Sequence, residues 1–494
     1  MPPNIEKRPG NPARILGAWL LASLTISGCN LVLDFQQCES DAECAGYENG
    51  SVCGAEGLCV TSSNDDCTQM VCDTAINLGT VSAQNGPNAN LGIGMVAGLR
   101  TAFHEANEGD RVHGRDVLLT VRDDGYEPES TVPAMEELTD GGNDRPVLAI
   151  VGNVGTPTAT VAIPIAEANN VVFHGAFTGA GVLRQDPPSR LVFNYRASYE
   201  QETEALVRYI NEETDLADRV PAQNIAVLAQ GTVAAADDKD AFDGYGTAGF
   251  TGVSHALNGK VSESEITKAS YERNTANIDV AYEHYVTWLA GDQPVESDGV
   301  IHAAIIMVPT ADPAANLIVA MQDAIAAAKD GMSPASVSLS DEQIAQLAKV
   351  DLFMGSVSFV GSDKLRSNLM SQSVEYCNHV AVSQVVPLPT GTSSGALDYR
   401  EALTAFNDAE GTSHEPSFVS FEGYLAGRLF VDGLRNAPTL DTNGLVEGLH
   451  SLDGIEYGIG ATLSFGVDEH QASDRVFGTE LDSACEFVSL DLEG

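Results

Sequence analysis

Few residue groupings in this 494-residue chain have the types and spacing that chemistry demands. His104-Glu105-x-x-Glu108 lacks the second histidine that a helical zinc site carries four residues after the first. Gly92-x-Gly94 with Gly98 has the wrong interval for a dinucleotide fingerprint and reads as close helix packing. No lysine follows a Gly-rich loop in the Walker arrangement. Asp123-Asp124 could form an acid pair, but without a positioned histidine or metal ligand it reads as a polar strand end. The ten histidines are scattered singly. Binding chemistry is better served: Thr156 and Thr158, and then Phe177-Thr178, stand in two small-residue loops where short apolar runs end. Hydroxyls at the carboxyl edge of a parallel sheet, beside the free N–H groups of a helix start, suit a small polar ligand.

The elements that must position these loops follow from the apolar runs. Over 145–180 the chain reads strand, loop, helix, strand, loop, with continuous runs at 147–151 and 171–173. Continuous rather than alternating runs are expected of parallel strands buried on both faces. The same rhythm occupies 76–138, with strands at 76–81 and 117–121 and helices through 106 and over 127–138. It restarts after 193: helices over 200–212, 276–289, 314–327 and 417–434, and strands at 225–228, 300–308, 351–354 and 381–386. A Gly-rich helix or turn leading to a strand is expected at 244–255, a polar inserted helix within 328–350, and short strands over 461–492. Two blocks of βα units imply two α/β lobes, each a mostly parallel sheet flanked by helices.

Composition bounds the setting. Against 25 Lys and Arg stand 70 Asp and Glu, a net charge of −45. That excess repels phosphate backbones and excludes nucleic acid as a partner. Lys7, Arg8 and Arg14 precede an apolar run over 15–26 that ends in Ser27-Gly28-Cys29. The run is short for a membrane span and reads as a secretory signal peptide over 1–28. Ile26-Ser27-Gly28-Cys29 resembles the bacterial lipobox, which implies a lipidated Cys29 and an exported protein, periplasmic or at the cell surface, tethered to the membrane. Nine cysteines less Cys29 leave eight, six of them at Cys38, Cys44, Cys53, Cys59, Cys67 and Cys72. With no paired CxxC and no histidine among them, disulfides rather than zinc are expected in a Cys-rich stalk over 29–74. No cofactor and no catalytic apparatus is expected.

From about residue 76 to 490 the chain resembles the extracellular solute-binding proteins of the branched-chain amino-acid type. The resemblance rests on an ordered series: Ser82-x-x-x-Gly86-Pro87-x-x-x-Leu91-Gly92, Asp123-Asp124, the 152–158 loop, Asp243-Gly244-Tyr245-Gly246 and Ser358-Phe359-Val360-Gly361. Ser383-Gln384-Val385-Val386-Pro387, Glu422-Gly423-Tyr424 and His470-Gln471-x-Ser473-Asp474 complete it. The resemblance implies a two-lobed type I periplasmic-binding fold that closes on a ligand, with lobe 1 at 75–196 and 388–460 and lobe 2 at 197–387 and 461–494. Cys377 and Cys485 then share lobe 2 and are expected to be bonded to each other.

Carried over position by position, the resemblance implies a cleft lined by Ser82, Leu91, Thr156, Thr158, Ala176, Phe177, Thr178, Tyr245, Thr310, Ser358 and Phe418. Some of these carry a competing role: Thr156 and Thr158 as caps of their own helix, Phe177 as a core plug, Tyr245 as an exposed loop residue, Phe418 as a core residue at a helix start. Ser358 stands where amino-acid binders place a carboxylate for the ligand ammonium, and no aromatic appears at Pro309-Thr310. An ammonium buried unpaired costs several kcal/mol, so this departure speaks against an ordinary α-amino acid. The function implied is capture of a small solute and its delivery to an ABC permease. A sensory receptor of the same fold and a surface adhesion or scaffold lipoprotein are the alternatives.

Overall fold

The computed structural model describes residues 51–53, 59–61, 75–140, 147–213, 219–291, 293 and 299–492. The signal segment, Cys29 and most of the Cys-rich stretch lie outside the described residues. Two short strands, β1 (Ser51–Cys53) and β2 (Cys59–Thr61), fall within that stretch.

The first sheet is built from β3 (Ile76–Ser82), β4 (Val117–Asp123), β5 (Ala149–Val151), β6 (Val172–His174) and β7 (Val192–Phe193). All its pairings are parallel, in the order β4-β3-β5-β6-β7. β5 and β6 are buried at every position, as continuous apolar runs require. The second sheet contains β8 (Ile225–Gly231), β9 (Ala235–Ala236), β10 (Thr267–Glu272), β11 (Ile301–Val308), β12 (Val350–Ser356) and β13 (Val380–Gln384). Between the sheets' contributions lies a small antiparallel pair, β14 (Ile455–Glu456) with β15 (Thr462–Leu463). The last strands, β16 (Phe477–Leu481) and β17 (Phe487–Leu490), complete the second sheet as antiparallel additions to β13. Its order is β17-β16-β13-β12-β11-β8-β10-β9.

Numbered by their βα units, the five parallel strands of each sheet run 2-1-3-4-5. In both, the order reverses beside the first strand, and ligands of open α/β sheets bind outside the carboxyl ends of the strands at that reversal. For the first sheet this is the edge where β3 and β5 end, at Ser82 and the 152–158 loop. For the second it is where β8 and β11 end, near Asp243 and Pro309.

Helices cover both sheets. The helix Phe418–Asn436 returns from late in the chain to pack on Ala89–Glu108 of the first lobe. The contact needs glycine, because a Cβ on Gly98 would lie 2.0 Å from the Ser420 carbonyl oxygen. Three helices escaped the sequence reading: Ser362–Gln372, Ser394–Glu410 and Thr442–His450. The inserted helix is shorter than its expected span, Asp341–Leu347, and starts at a Ser340–Gln343 capping box. The helix expected over 200–212 is Tyr199–Arg208 followed by a π turn, Tyr209–Glu213.

The final crossing between lobes lies later than the expected boundary at 460. Residues 461–472 pack against the first sheet: Ala472 N–H donates to the Asn194 carbonyl at 2.8 Å, Asn194 N–H donates to the His470 carbonyl at 2.7 Å, and the Phe465 ring sits 5.3 Å from Phe193. Only β16 and β17 then join the second sheet. We therefore place lobe 1 at 75–196 with 388–476, and lobe 2 at 197–387 with 477–492. In the second lobe Cys377 and Cys485 form a disulfide, with Cα atoms 5.4 Å apart.

Candidate functional site between the lobes

Two loops of the first lobe are zipped together at the sheet edge. Phe177 N–H donates to the Asn153 carbonyl at 2.7 Å, and Gly155 N–H donates to the Phe177 carbonyl at 3.2 Å. Gly155 takes φ of 103°, and a Cβ there would strike the Tyr126 ring at 2.1 Å, so only glycine lets that ring lie against the loop. The helix Thr156–Ala168 begins here without a side-chain cap. The Thr156 and Thr178 hydroxyls hydrogen-bond to each other at 2.7 Å, one loop to the other, at the start of that helix.

Opposite them, the second lobe presents the first turn of the helix Gly244–Ala256. Asp243 caps it, accepting from the Tyr245 and Gly246 N–H groups at 3.0 Å each. The Tyr245 hydroxyl donates to the Pro309 carbonyl at 3.0 Å, which fixes its ring. Tyr271 accepts from Thr310 N–H at 3.0 Å and donates to Gln230 at 3.1 Å. Gln230 in turn donates to Tyr126 of the first lobe at 3.0 Å. Aromatic rings close the space between lobes. Phe359 lies 5.3 Å from Phe177 and 6.0 Å from Tyr126 on one side, and 4.8 Å from Tyr245 and 6.1 Å from Tyr199 on the other. All five side chains are buried.

A group of charges sits beside the rings. Arg196, on the crossing segment between lobes, stacks over Phe177 at 5.1 Å and Tyr199 at 5.4 Å. It donates to Glu202 at 2.6 Å, to Ser358, and at 3.5 Å to Glu422. Glu202 also accepts from Ser358 N–H at 2.8 Å, the Ser358 hydroxyl at 3.1 Å and the Ser383 hydroxyl at 2.8 Å. Burial pushes the Glu422 carboxyl up to about 7 against the pull of Arg196. Burial likewise raises Asp243, and it pushes the Tyr199 and Tyr245 hydroxyls well above the usual tyrosine range.

The structure thus brings together Thr156, Phe177, Thr178, Tyr245 and Ser358, with Ala176 buried in the same loop and Thr310 one bond away through Tyr271. Other expected residues have different partners. The Thr158 hydroxyl donates back to the Val154 and Gly155 carbonyls at 2.6 and 3.0 Å, so it serves its own loop. Ser82 accepts from Gln84 at 3.0 Å. Leu91 packs against the Gly361 loop of the second lobe, within 2.8 Å of where a Cβ would stand. Phe418 meets Phe487 edge-on at 5.3 Å, and its N–H donates to Asp363 at 3.1 Å.

Sequence reasoning missed Tyr126, Arg196, Tyr199, Glu202 and Phe359 as site residues. Phe359 and Glu422 lie inside motifs that pointed to the site. Arg196 and Glu202 carried no such signal, because their six-residue spacing becomes a contact only when strand, crossing and helix are assembled.

A polar rim holds the lobes together outside the rings. Arg273 pairs with Glu127 at 2.7 Å, Asn274 donates to Glu127 at 2.6 Å, and Asn88 donates to Asn274 at 2.7 Å. Among the described residues no group of three or more His, Cys, Asp or Glu side chains could hold a metal ion, and no helix is long and apolar enough to cross a membrane.

Residues 75–271 match the family described as periplasmic binding protein. No curated protein matches. A solved structure of a possible leucine/isoleucine/valine-binding protein from Rhodopirellula baltica SH 1 is 32% identical, covers 86% of this chain and 98% of its own, and has a TM-score of 0.67. A branched-chain amino-acid ABC transporter protein from Thermus thermophilus, solved with bound valine, is 16% identical over 84% of this chain and 95% of its own, with a TM-score of 0.63. A fatty acid ABC transporter substrate-binding protein from Thermomonospora curvata is 16% identical over 89% and 95%, with a TM-score of 0.61. These likenesses, with the paired 2-1-3-4-5 sheets and the residues facing each other across the lobes, place the chain: it belongs to the extracellular solute-binding proteins of the branched-chain amino-acid type, with the type I periplasmic-binding fold.

Proposed function

We propose that the protein captures a small solute between its lobes and hands it to an ABC permease, while Cys29 tethers it to the membrane of an exporting cell. The observation that carries the reading is the Thr156–Thr178 hydroxyl pair at an uncapped helix start, facing buried rings from the opposite lobe. Such a start offers hydrogen-bond donors and a positive dipole end to a polar head group, and the rings offer an apolar wall for the remainder. Hinge closure then follows from differential affinity: a solute that contacts both lobes stabilises the closed form by the contacts that the open form lacks. The amino-acid and fatty-acid binding described for the structural neighbours supports a carboxylate-bearing solute and a binding rather than a catalytic role.

A thermal-shift screen of amino acids, carboxylic acids and amides tests this. A solute at 100 times its Kd should stabilise the protein by about 2.7 kcal/mol, and Thr156→Val should weaken it. A screen in which no solute moves the unfolding temperature contradicts the reading. Globomycin-sensitive processing and palmitate labelling, both lost in Cys29→Ser, test the tether; labelling that survives the substitution contradicts it.

A further inference from the structure

We infer that the cleft selects a carboxylate without an α-ammonium group, of which a 2-oxo acid is the type, over the corresponding α-amino acid. This inference rests on the solute-binding reading and deepens it.

A ligand ammonium in a closed site needs an acceptor, and preferably an anionic one. The carboxylate beside Ser358 is Glu202, and it is already committed. Its two oxygens accept four hydrogen bonds, from Arg196, from the Ser358 N–H and hydroxyl, and from Ser383. The second buried carboxylate, Glu422, faces the same guanidinium. Arg184 adds a further cation, which donates to the Arg196 carbonyl at 2.7 Å and interacts with both glutamates. Two arginines therefore balance two glutamates, and the remaining carboxylate of the site, Asp243, is committed to the Tyr245 and Gly246 N–H groups and to Gln230. The rise of Glu422 towards neutral pH tips that balance to the positive side.

What the site does have spare are donors. Arg196 is 1% exposed, and its Nε–H has no acceptor although its terminal nitrogens are bonded. The guanidinium lies over Phe177, the residue next to Thr178. The Tyr199 hydroxyl, fully buried, approaches Thr178 without a well-directed hydrogen bond. With the one hydroxyl proton that the bonded Thr156–Thr178 pair leaves over at the helix start, these groups can satisfy a carboxylate and an adjacent carbonyl oxygen. A site of unsatisfied donors accepts a ligand made of acceptors and rejects one that brings three more N–H donors.

Matched pairs decide the point: calorimetric titration of the full-length mature protein with 4-methyl-2-oxopentanoate against leucine, and with phenylpyruvate against phenylalanine. In at least one pair the oxo acid should bind tenfold or more tightly than its amino acid. An amino acid that binds as tightly as its oxo partner, or more so, overturns the inference and leaves solute capture standing. Binding of a solute of another class with both pairs silent also overturns the inference alone. If no solute of any class binds, both readings fall.

Discussion

Arg196 donates to Glu202 at 2.6 Å with both side chains wholly buried, on the segment where the chain first crosses from one lobe to the other. The pair ties the crossing to the first turn of the helix Tyr199–Arg208, and through Ser358 and Ser383 to the ends of β12 and β13. Removing one partner leaves the other charge buried and uncompensated. Arg196→Met should therefore cost about 3–5 kcal/mol, read as a fall in the urea midpoint. A loss below 1 kcal/mol would show that Glu202 is already solvated.

Glu422 sets a pH dependence. Its carboxyl is raised by burial from 4.5 to about 7 in the folded protein. A raised folded value means that its contribution to stability is fully present below about 4.5 and is lost as pH rises through about 7. Glu422→Gln removes that dependence. Relative to the variant, the wild type should lose on the order of 2 kcal/mol between pH 5 and pH 8. Parallel stability profiles for the two proteins would contradict the assignment.

Phe359 is the ring shared by both lobes, in contact with Phe177 and Tyr126 on one side and Tyr245 and Tyr199 on the other. Phe359→Ala should cost about 3–5 kcal/mol through the cavity it leaves. It should also weaken closure, so that the ligand-free variant has a larger radius of gyration by X-ray scattering than the wild type. Equal radii would mean that closure does not depend on this contact.

The Cys377–Cys485 disulfide spans 108 residues and joins the segment before β13 to the turn between β16 and β17. A long loop closed by a disulfide contributes about 2–4 kcal/mol. The double serine variant should lose that amount, and reductant should bring the wild type down to the same unfolding temperature. Insensitivity of the wild type to reductant would contradict a stabilising bond.

Much of this fold was legible because its strands are buried on both faces. The continuous runs at 147–151 and 300–308 read as strands of a parallel sheet, and the alternation of runs and helices implied two lobes. The ordered motifs then placed Thr156, Phe177, Thr178, Tyr245 and Ser358 on facing edges. The helices Ser362–Gln372 and Ser394–Glu410 were not legible: their outer faces are polar, and what anchors them is contact with residues far away in sequence. The end of lobe 1 was set too early because 461–472 carry short strand-like runs, while their allegiance is decided by pairing with Asn194 and packing on Phe193. Thr158 illustrates the limit of motif transfer. Its hydroxyl is satisfied by its own loop, a choice made by the local turn and invisible in residue type. The buried, Arg196-paired Glu202 was hidden in the same way, since a glutamate in an amphipathic helix reads as surface until the fold turns it inward.

The central claim is that a solute is held at the Thr156–Thr178 pair between closing lobes. Its most direct test is a calorimetric titration of the tightest solute from the thermal-shift screen into wild type and Thr178→Val, which removes one hydroxyl and nearly preserves volume. The variant should bind at least tenfold more weakly while remaining folded, with a stability loss of about 1–3 kcal/mol because the buried Thr156 hydroxyl and Ala180 N–H lose a partner. Equal affinity in the two proteins would contradict the claim and move the site elsewhere.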